Sequence, residues 1–121
     1  MTWSVHRSQQ IEEHRQQEDW GCLRWAASAA HGGSRCTTVL RVHIRSGCSN
    51  PRHSHANCEE VLYLLKGRLE HEMGGETVIL EPGDALIVGP GVPHHATCIS
   101  EEDADMIVAY PVGKREFTPH D

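Results

Sequence analysis

Four side chains in this sequence have the types and spacing to do chemistry together. His53 and His55 stand two apart in the stretch Gly47-Cys-Ser-Asn-Pro-Arg-His53-Ser-His55-Ala-Asn-Cys-Glu-Glu60. In extended chain, residues two apart project to the same face, so the two imidazoles can be offered to one point. Glu60 lies an odd number of residues after His55. A continuous strand would turn it to the opposite face, so Ala56-Asn57-Cys58 is expected to bend and bring the Glu60 strand alongside. A fourth donor must come from elsewhere in the sheet, and His94 sits just after a Pro-Gly turn at a strand start. Two or three neutral imidazoles with one carboxylate suit a borderline divalent ion: Fe, Mn, Zn, Ni, Co or Cu. A lone His pair on a strand is often only hydrogen-bonded or exposed, so the weight rests on two distant segments supplying one set.

These groups can meet only if short strands carry them. Thr38, Leu40, Val42 and Ile44 alternate with Val39, Arg41, His43 and Arg45, the pattern of a half-buried strand ending at Ser46-Gly47. Glu60 to Lys66, EVLYLLK, is apolar on both faces and reads as fully buried. Leu69, His71 and Met73 alternate with polar neighbours, and Gly74-Gly75 fits a tight hairpin turn. Thr77–Leu80, Ala85–Val88, His94–Ile99 and Asp105–Tyr110 supply four more strands, separated by Glu-Pro-Gly-Asp and Gly-Pro-Gly-Val-Pro turns. Many short strands at near-regular spacing indicate an all-β fold, an antiparallel β-barrel or jelly roll. Residues 1–20 read as a polar N-terminal arm, with a loose segment or short exposed helix over 8–19; 21–113 form the barrel and 114–121 a C-terminal tail.

Length and composition bound the function. At 121 residues the chain has room for one core. Eleven Lys and Arg against 17 Asp and Glu give a net charge of −6, which argues against nucleic acid as a partner because phosphate binding needs a clustered cationic surface. No apolar run approaches the roughly 20 residues needed to span a bilayer. The N-terminus has no apolar signal region, so a cytoplasmic protein is expected. Five Cys (22, 36, 48, 58 and 98), with no CxxC, fit reduced thiols better than a disulfide framework.

The metal candidates resemble the cupin superfamily. Its first motif, G(x)5HxH(x)3–4E(x)6G, is met by Gly47, His53, His55, Glu60 and Gly67; its second, G(x)5PxG(x)2H(x)3N, by Gly83, Gly91 and His94. Gly89 stands where that motif has Pro, and Cys98 where it has Asn. The resemblance covers roughly residues 37 to 110. It implies a double-stranded β-helix with a metal at its interior held by His53, His55, Glu60 and His94, and counting within the motifs prefers Glu60 to Glu59 and His94 to His95. Cys58, within the bend, reads as a plain loop cysteine with metal approach as the alternative. The family includes oxygenases, isomerases and lyases, so an enzyme acting on a small polar organic molecule is expected, with a non-enzymatic ligand- or metal-sensing module as the alternative.

Beyond the ligands, His71 is a candidate pocket acid or base if its strand face lines the barrel. Tyr63 reads as core, Met73, Met106 and Ile87 as barrel wall, and Arg41, His43 and Arg45 as a solvated stripe. Lys114, Arg115 and Glu116 read as exposed tail. Sheet edges in small barrels need covering, so a homodimer is expected, with Trp20–Ser28 pairing across subunits.

Overall fold

The structure, a computed structural model, describes residues 3–121. A six-residue helix, α1 (Ser8–Glu13), precedes β1 (Gln16–Glu18), β2 (Gly21–Ala27), β3 (Thr38–Ile44), β4 (His53–Ser54), β5 (Glu60–Lys66) and β6 (Leu69–Met73). There follow β7 (Glu76–Leu80), β8 (Ala85–Val88), β9 (His94–Cys98), β10 (Ala104–Tyr110) and β11 (Thr118–Pro119). The strands form two sheets, one of six in the order β1-β2-β3-β10-β5-β8 and one of five in the order β11-β4-β9-β6-β7. All named strand pairs are antiparallel. From β3 to β11 every connection except the β6–β7 hairpin passes from one sheet to the other, which makes the fold a jelly roll, the double-stranded β-helix expected. The two sheets do not join into one continuous hydrogen-bonded cylinder among the described residues.

Alternation builds the core. On β3 and β10 every second residue points inward: Leu40, Val42 and Ile44 from one, Ala104, Met106 and Val108 from the other. Leu69, Leu80, Ala96 and Cys98 meet them from the facing sheet. The core is aliphatic, as the composition implies, and its layer carries the site at one end.

Several expectations need correction. β5 is not buried on both faces. Glu60, Leu62 and Leu64 are buried while Val61 and Tyr63 are exposed, because no layer covers the outer face of the six-stranded sheet. Tyr63 is therefore not core, and Ile87, on the same outer face at 67% exposure, is not barrel wall. Met106 is buried and Met73 partly so. The N-terminal arm is not separate from the domain: after α1, Gln16–Glu18 pair with Gly21–Leu23. Nor is the C-terminus a free tail, since Thr118 and Pro119 pair with Ser54 and His53. The Trp20–Ser28 segment, as β2, finds partners inside the chain, along β3 and at β1.

Arg41 does lie on the exposed face, where it pairs with Asp105. All five cysteines are free thiols. Among the described residues no helix is long and apolar enough to cross a membrane.

Candidate metal centre

Each metal candidate is placed by a different piece of local structure. β4 carries His53 inward and pairs it directly with His94, the first residue of β9. Beyond β4 the chain turns at Ala56-Asn57, and the His55 carbonyl accepts from the Gly91 amide at 2.9 Å, which ties the two motif segments together. Glu60 opens β5. It does not come alongside, as expected, but faces the histidines from the opposite sheet. The sequence spacing therefore has a plain cause: the bend carries the chain across the core. One ligand atom from each of His53, His55, Glu60 and His94 lies within 4.8 Å of the others, and all four side chains are buried.

The orientation of the rings decides what this cluster can hold. His53 Nδ1 lies 2.7 Å from the Pro51 carbonyl, His55 Nδ1 2.8 Å from the Glu116 carbonyl, and His94 Nδ1 2.9 Å from the Val92 carbonyl. A carbonyl can only accept, so each Nδ1 carries the proton and donates it. Each Nε2 is left with its lone pair directed inward. There, His55 Nε2 stands 3.3 Å and His94 Nε2 3.4 Å from Glu60 Oε1, and His94 Nε2 is buried without a hydrogen-bond partner. Lone pairs converging on a carboxylate oxygen repel unless a cation lies among them. The donor set therefore suits a metal ion, with the far nitrogens anchored as metal-ligating histidines require.

Charge in the cluster follows from the same contacts. Burial alone would raise the Glu60 carboxyl, but the close approach of His55 and His94 and a 2.8 Å hydrogen bond from the Tyr110 hydroxyl outweigh it and hold the group well below the usual carboxylate range. Glu60 is an anion. Burial pushes His53 down to about 4, so that ring is neutral at pH 7. Burial also works against a charge on His94, but Glu60 beside it reverses the balance and raises it. Tyr110 itself is raised by burial and by Glu60 and stays a phenol.

The cluster forms one wall of a cavity of about 380 Å³. Leu23, Leu40, Val42, Leu62, Met106 and Val108 make the opposite wall, with Asn50, Tyr110, Arg115 and Phe117 among its other boundaries. His71 also lines it: the ring is buried, 5.7 Å from His94 and nearly parallel, and burial pushes it down to about 4. Its Nδ1 has no hydrogen-bond partner.

The other candidates separate from the cluster. Glu59 is exposed, and His95 turns outward to lie 3.1 Å from Glu72. Cys58 is packed in the core, its thiol pushed up by burial, and is not among the clustered groups. Cys98 lies on the inner face of β9 but does not border the cavity; its Sγ approaches the Glu102 carbonyl at 3.3 Å. Arg115 is not the exposed tail residue expected. Its guanidinium lies 5.1–5.3 Å from the rings of Phe117, Trp25 and Tyr110. Phe117 in turn stacks on His53, with centroids 4.8 Å apart. The sequence reading also missed Tyr110. The signal was available in the period of β10, since Met106, Val108 and Tyr110 share a face.

Comparison with known proteins adds the following. A family model described as the Cupin domain matches residues 40–110. The chain is similar to the polyketide synthase CurC of Streptomyces cyaneus, with 31% identity over 64 residues that span 53% of this chain and 42% of that protein. It therefore matches less than half the length of that curated relative. Among solved structures, oxalate decarboxylase of Lactobacillus farciminis in a formate complex superposes with a TM-score of 0.81 at 14% identity, over 87% of this chain and 32% of that one. A conserved protein with a double-stranded β-helix domain from Klebsiella pneumoniae gives 0.77 at 18% identity, over 92% and 94% of the two chains. At such identities the structural likeness shows the fold alone.

Proposed function

This chain belongs to the Cupin domain family, and from that premise we propose that it is a metal-dependent enzyme acting on a small oxygenated organic molecule. The observation that carries the reading is the set of Nε2 lone pairs of His53, His55 and His94 converging on the Glu60 carboxylate at the wall of a cavity. One divalent transition metal ion (Fe, Mn, Zn, Ni, Co or Cu) is the cofactor. When bound it supplies Lewis acidity, and redox chemistry if the ion is redox-active. Oxygenation, isomerisation and lyase chemistry are the reaction classes within reach.

The chain's own residues have definite tasks in this reading. The Pro51, Glu116 and Val92 carbonyls hold the three rings in the ligating tautomer. Tyr110 donates to Glu60 and fixes the carboxylate. His71, neutral and with an unpartnered Nδ1, accepts a proton from the substrate, so it serves as base more readily than as acid. The apolar wall keeps bulk water from the reacting end. The name of one similar protein, the polyketide synthase CurC, concerns an oxygen-bearing carbon compound, which supports the substrate class.

Metal analysis of the purified protein tests the reading. Wild type is expected to hold one divalent ion per chain, and His53→Ala and Glu60→Ala to lose it; unchanged occupancy in both variants ends the proposal. A tight ligand recovered chemically unchanged, with no substrate consumed under air, would favour the binding or sensing module instead. We also place the protein in the cytoplasm, on the strength of its free thiols, and as a homodimer.

A further inference from the structure

We infer that the cavity takes an amphipathic organic acid, whose anionic group is held by Arg115 and whose apolar body lies against the wall opposite the metal cluster. The inference rests on the reading of this cavity as the substrate site and deepens it, from small oxygenated molecule to carboxylate or enolate with a hydrocarbon body.

Arg115 is a charge without a counter-ion. Among the described residues that line the cavity it is the one permanent cation, and no carboxylate among them pairs with it. Its Nε is buried and has no hydrogen-bond partner. Its NH1 lies 3.5 Å from His55 Nδ1, but that nitrogen already donates to the Glu116 carbonyl and has nothing to accept with. Three aromatic rings surround the guanidinium, their centroids 5.1–5.3 Å from its carbon. Arg115 borders the cavity, and the paired N–H groups of a guanidinium match a carboxylate. A cation beside an apolar wall with no carboxylate paired to it is costly, which is a reason to expect an anionic ligand against the guanidinium.

Site charge points the same way. With a divalent ion bound, three neutral imidazoles, the Glu60 anion and Arg115 make a positive site that Glu18 only partly offsets, and in the metal-free protein Arg115 alone supplies the attraction. An anion is therefore favoured over a neutral molecule. The opposite wall decides the rest of the ligand. Leu23, Leu40, Val42, Leu62, Met106 and Val108 offer no hydrogen-bonding side chain, so a fully polar ligand would leave its groups unpaired there. Arg115 also borders a second cavity of about 610 Å³ beside Trp25 and His31, so the test must say on which side the acid sits.

Calorimetric titration of benzoate, acetate and benzyl alcohol, on metal-free and on zinc-loaded protein, tests the assignment. Benzoate is expected to bind at least about tenfold more tightly than acetate, through the apolar wall, and than benzyl alcohol, through the charge. Arg115→Gln is expected to lose about tenfold or more in benzoate affinity with benzyl alcohol unchanged. Val108→Phe, which fills the metal-side cavity, is expected to abolish benzoate binding; if that variant does not fold, Val42→Phe takes its place. Benzoate binding within twofold of wild type in Arg115→Gln overturns the proposal, as does acetate matching benzoate. Undiminished binding in the filled-cavity variant overturns it too, because the acid would then sit in the outer cavity. Since the metal-free arm stands alone, failure of metal uptake would sink the metal-enzyme reading and leave this result to be judged separately.

Discussion

A ring nitrogen ligates a metal only if its proton sits on the other nitrogen, and in this protein three main-chain carbonyls make that choice. Tyr110 makes the corresponding choice for Glu60 by donating at 2.8 Å. Tyr110→Phe removes a buried donor to a charged acceptor, so it is expected to lower the unfolding free energy of the metal-free protein by roughly 1.5–3 kcal/mol; urea denaturation measures it, and an unmoved midpoint would refute the role. Acid should act through the buried histidines His53 and His71, and His71 can be removed without touching the cluster. Burial lowers that ring from 6.5 to about 4 in the fold. The unfolded chain therefore binds a proton below pH 6.5 that the folded chain refuses, and stability present above that pH drains away as pH falls toward 4. Leu at position 71 is expected to flatten this acid limb by on the order of 3 kcal/mol in metal-free protein, read from midpoints at pH 7 and pH 4. The clustering of His53, His55, Glu60 and His94 was legible in the sequence because their spacing is local to two turns. Tyr110 was harder, since its partner is set by β10 pairing with β5, and Arg115 harder still, since nothing in Lys114-Arg115-Glu116 says that the segment folds back over the cavity.

Among the elements, the strands could be read from their alternation, and the face of β5 could not. Val61 to Leu65 within EVLYLLK are apolar throughout, and only the exposure of Val61 and Tyr63 shows that they face out. Motif glycine Gly67 acquires a reason from the same region. It ends β5 at φ 82°, and an added Cβ would lie 2.8 Å from Ala104 Cα and 2.9 Å from the Asp103 carbonyl oxygen. Gly67→Ala is thus expected to destabilise by roughly 1–3 kcal/mol, through backbone that cannot retreat, and a thermal midpoint equal to wild type would contradict it. The C-terminal segment has a larger task than its two-residue strand suggests. It contributes the Glu116 carbonyl to His55, Phe117 to His53, and β11 to the edge of β4. A chain ending at residue 113 is expected to keep its β-sheet circular dichroism and to lose about 10–100-fold in metal affinity. Unchanged affinity would show that β4 positions both rings unaided.

For the whole molecule, a metal held by the cluster would act as a stabilising ligand as well as the proposed cofactor. An ion bound by the fold and not by the unfolded chain adds about 2.7 kcal/mol at a free concentration one hundred times Kd, so chelation is expected to lower Tm by several degrees and re-addition to restore it. The outer face of the six-stranded sheet gives the second prediction. Val61, Tyr63, Ile87 and Ile107 are all exposed there and neighbour one another across β8, β5 and β10. Self-association is expected to cover this face, and Ile87→Glu to shift the sedimenting mass from dimer to monomer; a monomeric wild type would remove the idea. The three carbonyl anchors carry one more consequence. A carbonyl belongs to the main chain, so no substitution at Pro51, Val92 or Glu116 deletes it. Mutational drift in the surrounding side chains leaves the ring tautomers as they are, while volume-conserving exchanges in the apolar wall remain open to it. Heritable change can then retune which molecule enters without first dismantling the centre that reacts with it, and a library randomised over Leu40, Val42, Leu62 and Val108 is the natural place to look for new specificities.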